Sequence, residues 1–199
     1  MTAVALVDTG AANLASVRHA LERHGAAVRL ARDADDLKHA PRALLPGVGA
    51  AAATMVRLRE RGLVEALRTF DRPLLGICLG MQLLHEWSEE GGVAGLGVLP
   101  GRVRALRPRT AARVPHMGWN ALRIRRDTPW LAGVRDGDHA YFVHGFAVEA
   151  GPDCVAACTH GDVFAAVVAR GAVAGTQFHP ERSGTAGARV LANFLGLRA

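Results

Sequence analysis

The stretch from residue 74 to residue 87 constrains the fold more than any other part of this sequence. Leu74–Ile77 is a short, almost continuous apolar run, which is typical of a strand buried in a parallel sheet. Cys78 follows at once, and a helical pattern begins at Leu79. A cysteine on a sharp turn between a strand and a helix has the geometry of a nucleophile elbow, which lifts the sulfur above the sheet. The stretch therefore predicts a candidate thiol nucleophile at Cys78.

Two glycines, Gly76 and Gly80, stand two residues before and after Cys78, where side chains would crowd such a turn. The turn also places the thiol at the start of a helix, where partial positive charge favours an anionic group. The alternative is a buried structural cysteine, because free cysteines are among the most buried residues of proteins. The pattern by itself leaves both interpretations open.

A candidate base lies near the end of the chain, in the sequence Gln-Phe-His-Pro-Glu at residues 177–181. Pro180 disfavours helical geometry at the residue before it, so we expect His179 to be extended. Residues two apart in an extended segment point to the same side, which makes His179 and Glu181 neighbours. One imidazole nitrogen can then take the thiol proton while the carboxylate holds the other nitrogen, as in Cys-His-acid acyl transfer.

Strands and helices alternate up to Cys78, and this alternation predicts a parallel sheet with helices on both faces and ligands at the carboxyl ends of the strands. The sequence thus indicates a single α/β domain, residues 1–199, with a doubly wound, mostly parallel sheet. Beyond residue 92 we expect an antiparallel extension and then a hairpin around Gly171 that delivers His179. The later strands are predicted at residues 97–106, 121–124, 140–148 and 154–159. The helices are predicted at residues 14–24 with Asn13 as cap, 33–38, 51–58, 63–70 and 187–197.

Composition excludes several classes of function. The formal net charge is +6, but no aromatic residues interleave with the densest basic stretch, residues 102–113, so nucleic acid is not an expected partner. No apolar run approaches the roughly 20 residues of a membrane span, and no signal peptide precedes the first strand, so we expect a cytoplasmic location. Cys154 and Cys158 are expected in the core, and no metal or other cofactor is predicted.

These motifs resemble those of a known family. Gly76–Gln82 together with residues 177–181 is similar to the class I, or triad, glutamine amidotransferases. Three further stretches resemble the glutaminase subunits of imidazole glycerol phosphate synthase, and the resemblance covers essentially the whole chain. These stretches are Pro-Gly-Val-Gly at 46–49, Pro-His-Met-Gly-Trp-Asn at 115–120 and Tyr-Phe-Val-His at 141–144.

The resemblance implies specific roles for individual residues. Cys78, His179 and Glu181 would form the catalytic triad. Backbone N–H groups would bind the oxyanion of the tetrahedral intermediate, and the candidates for this role are Val48, Gly49 and Leu79. L-glutamine would be recognised by Gln82 near its carboxylate, by Glu90 near its ammonium group and by backbone around Gly145.

The resemblance also implies a partner. A (β/α)8 barrel cyclase subunit would form a heterodimer with this chain and take ammonia directly, since ammonia released into water would be protonated and lost. Aromatic residues and methionine are enriched at protein interfaces. The candidate contact residues are His116, Met117, Trp119, Tyr141 and Arg182.

Two departures from the family pattern are visible: Gly145 stands where the family commonly has a hydroxyl residue, and Arg182 stands where it commonly has lysine. Two alternatives also remain open. The first is another triad glutaminase, serving pyridoxal phosphate or purine synthesis, against which the stretches at residues 46–49 and around Trp119 argue. The second is a non-catalytic α/β binding module in which Cys78 is inert.

Overall fold

A computed structural model describes residues 2–10, 14–110 and 112–197. Its helices are α1 Leu14–Arg23, α2 Ala34–Lys38, α3 Ala51–Glu60, α4 Leu63–Arg68, α5 Leu79–Leu83 and α6 Gly184–Gly196. Its first seven strands are β1 Thr2–Val7, β2 Ala26–Ala31, β3 Ala43–Leu45, β4 Leu74–Ile77, β5 Trp87–Ser88, β6 Val93–Ala94 and β7 Arg102–Ala105. The others are β8 His116–Ala121, β9 Arg123–Ile124, β10 His139–His144, β11 Phe146–Val148, β12 Cys154–His160, β13 Asp162–Arg170 and β14 Val173–Thr176.

The predicted α/β architecture is confirmed. Within the described ranges, the main sheet has the strand order β2-β1-β3-β4-β14-β13-β12-β9. Neighbours from β2 to β14 are parallel, and those from β14 to β9 are antiparallel. Buried apolar clusters lie against both faces of this sheet, as a doubly wound fold requires. The predicted hairpin around Gly171 is present as β13 and β14.

Local sequence explains the helices. In α1 the buried residues Val17, Ala20 and Leu21 follow the spacing of a single helical face. The side chain of Asp33 caps α2 by accepting a hydrogen bond from the backbone N–H of Asp36. The predicted cap Asn13 lies outside the described residues. Among the described residues, no helix has both the length and the apolar character needed to cross a bilayer.

The structure corrects the predicted antiparallel region in three places. The strand predicted at residues 97–106 is confined to Arg102–Ala105. The strand predicted at residues 140–148 is two strands, since the chain leaves one sheet and enters another at Gly145. The strand His116–Ala121 was not predicted, and it pairs with β10 to form a separate two-stranded ribbon. This break and this ribbon both border the site described below.

Glycines around Cys78 allow backbone to touch backbone. A Cβ atom on Gly80 would lie 1.9 Å from the carbonyl oxygen of Leu45, and one on Gly76 would lie 2.7 Å from the amide nitrogen of Met81. Real Cβ atoms essentially never approach other atoms this closely, so α5 packs onto β3 and β4 only because these positions are glycine. The predicted crowding around the turn is therefore confirmed.

We predict that Gly80→Ala lowers the free energy of unfolding by roughly 1–3 kcal/mol or more, because the clashing atom belongs to backbone that cannot rotate away. Gly151→Ala is the matched control, since no atom lies within 4 Å of the added Cβ, and it should change stability by less than about 0.5 kcal/mol. Denaturant titration of both variants measures the difference. Equal losses would mean that the contact with Leu45 imposes no constraint.

Candidate active site

Three adjacent parallel strands deliver the predicted catalytic groups to one edge of the sheet. Strands β3, β4 and β14 are neighbours, and residues 46–49, Cys78 and His179 follow their carboxyl ends. The pairing is in register, with Gly175 opposite Gly76 and Thr176 opposite Ile77. The sheet topology therefore brings together segments that are about one hundred residues apart in sequence.

Cys78 occupies a strained turn. Its φ is 54° and its ψ is −112°, and it is the only non-glycine residue with a positive φ in the part of the chain that the structure describes. Such backbone costs of order 1–3 kcal/mol and is found mainly at functional sites. The amide nitrogen of Cys78 donates to the carbonyl oxygen of Thr176 at 2.7 Å, which helps to hold the turn.

His179 and Glu181 are in contact, as predicted, but by a different local geometry. His179 is extended, with φ −95° and ψ 99°, whereas Glu181 lies on a 3-10 turn formed by Pro180–Arg182. The turn still places His179 Nδ1 3.0 Å from Glu181 Oε1, and the two side chains are 4% and 1% exposed. The other ring nitrogen, Nε2, is buried and makes no hydrogen bond of standard geometry to the described residues.

The charge state of His179 follows from its neighbours. Burial lowers the pKa of His179, but hydrogen bonding and charge from Cys78 and Glu181 outweigh burial and raise this pKa to about 10. The ring is therefore protonated at neutral pH, which suits an imidazolium paired with the acid on one side and facing the sulfur on the other.

A cavity of about 290 Å³ opens above the sulfur. It is lined by Cys78 and His179, by all of the predicted oxyanion and substrate residues, and by three residues that were not predicted. The predicted residues are Val48, Gly49, Leu79, Gln82, Glu90 and Gly145, and the others are Val143, His144 and Phe146. A larger cavity of about 580 Å³ lies elsewhere, and its Arg104 and Arg109 are ion-paired with Glu149 and Asp162. The smaller cavity contains the predicted nucleophile and base, so chemistry rather than volume identifies the candidate site.

The side-chain amide of Gln82 is largely occupied by hydrogen bonds within the protein. Its Nε2 donates to the carbonyl oxygen of Phe146 at 2.8 Å and to Gln177 Oε1 at 3.0 Å. Gln177 in turn directs its Nε2 at Cys78 Sγ, 3.7 Å away. Both amide protons of Gln82 are thus committed, and a donated hydrogen bond to a substrate carboxylate would require one of these contacts to break.

Glu90 has a position that suits its predicted role. It is partly buried at the cavity, and its Oε2 accepts a hydrogen bond from the N–H of Ala51 at 2.9 Å, which caps α3 from outside the helix. A carboxylate has capacity for further donors, so this contact leaves room for a cation.

The predicted interface residues divide between surface and interior. Met117 and Trp119 are 65% and 57% exposed, and Arg182 is also exposed. Tyr141, half-buried, pairs with Trp119 across the ribbon. The position of His116 contradicts the prediction. Because side chains alternate between the two faces of β8, His116 points inward, where it is 3% exposed and stacks on Phe142.

The parallel sheet, the turn at Cys78 and the cavity that Cys78 shares with His179 are the features expected of one class of enzyme, and the sequence comparisons identify this class. The model of the family described as "Glutamine amidotransferase class-I" matches residues 5–196, and the chain belongs to this family. It is 59% identical over 195 residues to the "Imidazole glycerol phosphate synthase subunit HisH" of Xanthomonas axonopodis pv. citri (strain 306), covering 98% of both chains. It is 56% identical over 199 residues to the protein of the same name from Xylella fastidiosa (strain Temecula1 / ATCC 700964), covering 100% of both. The resemblance inferred from the motifs is thereby confirmed.

Solved structures show the same fold. A structure described as a glutamine amidotransferase superposes with a TM-score of 0.74 at 21% identity, covering 98% of this chain and 99% of that chain. A crystal structure from Thermoplasma acidophilum, described as that of a "putative gmp synthase subunit a protein", gives a TM-score of 0.71 at 18% identity, covering 98% of this chain and 93% of that chain.

We predict that Glu181→Gln reduces glutamine hydrolysis less than His179→Ala does and also shifts its pH dependence. In the parent chain His179 keeps its proton until the pH passes about 10, so the activity that needs the imidazolium falls only there. Removal of the carboxylate charge lowers the pKa of His179 and moves this alkaline limb to lower pH. Profiles of kcat/KM against pH for the two proteins test the shift. An unmoved limb would contradict the role of Glu181.

The same raised pKa predicts a pH-dependent contribution to stability. The interactions of His179 with Cys78 and Glu181 stabilise the folded state fully below the ordinary His179 pKa of 6.5, and this stabilisation is lost as the pH rises through about 10. Denaturant titration of the parent chain and of Glu181→Gln across this window measures the loss. The same pH dependence in both proteins would show that the pair with Glu181 is not its source.

Proposed function

We propose that this chain is a glutaminase subunit that hydrolyses L-glutamine to glutamate and ammonia through Cys78, His179 and Glu181. One observation carries the proposal: a cysteine on a strained elbow shares a cavity with a buried histidine whose far nitrogen lies 3.0 Å from a buried carboxylate. This arrangement supports nucleophilic attack by sulfur on a carboxamide. Membership of the amidotransferase family supports glutamine as the amide.

The reaction would proceed in two halves. The thiolate of Cys78 attacks the side-chain amide carbon, and His179 gives its proton to the departing nitrogen, which leaves as ammonia. A water molecule, activated by the now neutral imidazole, then hydrolyses the thioester to glutamate. Glu181 keeps the ring oriented and stabilises the imidazolium in both halves.

Backbone groups at the start of α5 and in the loop after β3 would bind the oxyanion. The N–H of Leu79 follows the nucleophile, as in other elbow sites. Val48 and Gly49 approach from the neighbouring strand and line the same cavity. Gly47 allows this approach, because a Cβ atom there would lie 2.5 Å from the amide nitrogen of Gly80.

Substrate recognition would rest on Glu90 and on the backbone at Gly145. Glu90 supplies negative charge for the ammonium group of glutamine. Gly145 has no side chain, so it contributes main-chain groups only. Gln82 was predicted near the carboxylate; because its amide protons are committed within the protein, we propose that it shapes the cavity and orients Gln177.

The relatives' name supports a role in imidazole glycerol phosphate synthesis, within histidine biosynthesis. We propose a cytoplasmic heterodimer in which a (β/α)8 barrel cyclase receives the ammonia directly. The cyclase would convert a phosphoribulosyl-formimino carboxamide ribotide to imidazole glycerol phosphate and an aminoimidazole carboxamide ribotide.

The proposed contact surface is the exposed face of the ribbon formed by β8 and β10, together with Arg182. Met117, Trp119 and Tyr141 share this face, because they alternate with the inward residues of their strands. The face borders the cavity, since Val143 follows on the same side and its carbonyl oxygen lies 3.9 Å from Cys78 Sγ. A partner bound there would sit beside the site at which ammonia forms.

We predict that Cys78→Ala abolishes glutamine-dependent synthesis by the complex but leaves synthesis from added ammonium salts intact. The sulfur is needed only to cleave the amide, while the partner performs the remaining chemistry. Product formation from each nitrogen source measures the two activities separately. Glutamine use by the alanine variant would rule out Cys78 as the nucleophile.

We predict that Trp119→Ala weakens association with the cyclase about tenfold or more, while the melting temperature changes little. An exposed aromatic side chain suits an interface anchor, and its loss costs little in the free chain. Calorimetric titration and thermal unfolding measure the two effects, with Val163→Ala as an exposed control elsewhere. A large loss of stability with normal binding would contradict the interface assignment.

A further inference from the structure

A chain of hydrogen bonds through two buried histidines runs from β8 to the cavity. Asn120 Nδ2 lies 3.2 Å from His116 Nε2, and His116 Nδ1 lies 3.0 Å from His144 Nε2. His144 Nδ1 lies 2.8 Å from the carbonyl oxygen of Phe146. We call these groups the histidine chain. His116 and His144 are only 3% and 6% exposed, so the chain connects the ribbon to the cavity through the protein interior.

The ends of the histidine chain determine both tautomers. A carbonyl oxygen only accepts, so His144 Nδ1 carries the proton and its Nε2 accepts from His116 Nδ1. His116 Nε2 is then left to accept from the Asn120 amide. That amide is oriented independently, because Asn120 Oδ1 accepts from the N–H of Ala121 at 2.8 Å. With these tautomers, every hydrogen bond of the histidine chain has one donor and one acceptor, and donation runs from Asn120 toward Phe146.

Both imidazoles remain neutral, as this arrangement requires. Burial, reinforced by the neighbouring His160, lowers the pKa of His116 to about 4. Burial is also the largest cause that lowers the pKa of His144, to about 3, and it outweighs the hydrogen bond to Phe146.

The histidine chain ends on an oxygen that also belongs to the network at the nucleophile. The Phe146 carbonyl accepts from Gln82 as well as from His144, and Gln82 continues through Gln177 to Cys78 Sγ. The His144 bond spans only two residues, so it braces the turn at residues 144–146. Together with Val143 this turn forms one wall of the cavity.

We infer that His116 and His144 are positioning residues for amide hydrolysis: they fix the wall at residues 143–146 and the Phe146 carbonyl that orients Gln82. Neither ring is required to touch the reacting atoms. The kinetic consequence rests on the proposed function, whereas the hydrogen-bond chain does not.

The first test is direct. Two-bond ¹⁵N–¹H correlation spectra of the ¹⁵N-histidine-labelled chain at pH about 7 should show His116 and His144 as neutral Nδ1–H tautomers. A proton on Nε2 of either neutral ring, or a charged ring, would overturn the histidine chain.

The second test is kinetic, with the chain in complex with its cyclase. His116→Phe keeps an aromatic ring but removes both hydrogen bonds, and we expect kcat/KM for glutamine to fall about tenfold. His116→Asn retains a donor near the position of Nδ1 and should recover most of the loss. His160→Phe is the control, since His160 stacks on His116 at 4.0 Å without joining the histidine chain, and it should stay within about twofold of the parent chain.

The outcomes separate the two claims. If the parent is active and kcat/KM of His116→Phe stays within about twofold of the parent value, the inference is overturned and the proposed function is not. The inference is also overturned if the Phe and Asn variants lose kcat/KM equally and these losses follow their melting temperatures. A parent complex that hydrolyses no glutamine would overturn the proposed function, while the tautomers would still decide whether the histidine chain exists. If His116→Phe does not fold, His144→Asn is measured instead. This variant keeps a donor toward Phe146 and breaks only the link to His116, and we expect the same loss of kcat/KM.

Discussion

The contact of backbone with backbone around Cys78 is the constraint on which the rest of the site depends. A residue with φ 54° is held there against a cost of order 1–3 kcal/mol. It is held because Gly76 and Gly80 let α5 sit directly on β3 and β4, and because the Cys78 amide is tied to β14. The same three neighbouring strands supply the loop at residues 46–49 and the histidine, so the packing that strains the turn also assembles the proposed catalytic groups.

Features encoded by local pattern could be predicted from the sequence. The apolar strand before Cys78, the helix after it and the hairpin before His179 each follow from residue spacing and from glycine or proline at fixed positions. The pairing of Cys78 with His179 was predicted from chemistry, because a thiol nucleophile needs a base that a third group orients. The need for glycine at both flanking positions was predicted correctly from the turn, although Gly80 is also constrained by Leu45 of the neighbouring strand β3.

Features that depend on long-range pairing could not be predicted. Apolar residues continue on both sides of Gly145, so the residue pattern does not indicate that the chain changes sheets there. The sequence indicates His116 and Trp119 as parts of one contact surface, but pairing with β10 turns Trp119 outward and His116 inward. Glu181 contacts His179 from a 3-10 turn rather than an extended segment, because a spacing of two residues permits both geometries. The contact between His116 and His144 exists only once the ribbon has formed.

His179 is the junction between the main sheet and the ribbon. It follows β14, which pairs with the strand that carries Cys78, yet its amide nitrogen donates to the carbonyl oxygen of Tyr141 in β10 at 3.0 Å. The amide of Tyr141 donates in turn to Ser183 Oγ at 2.9 Å, just beyond the turn that holds Glu181. The position of His179 is therefore tied to β10 as well as to the main sheet, whereas the backbone of Cys78 is tied to the main sheet. Because the ribbon also bears the exposed Trp119, a main-chain hydrogen bond joins the strand pair that carries this surface to His179.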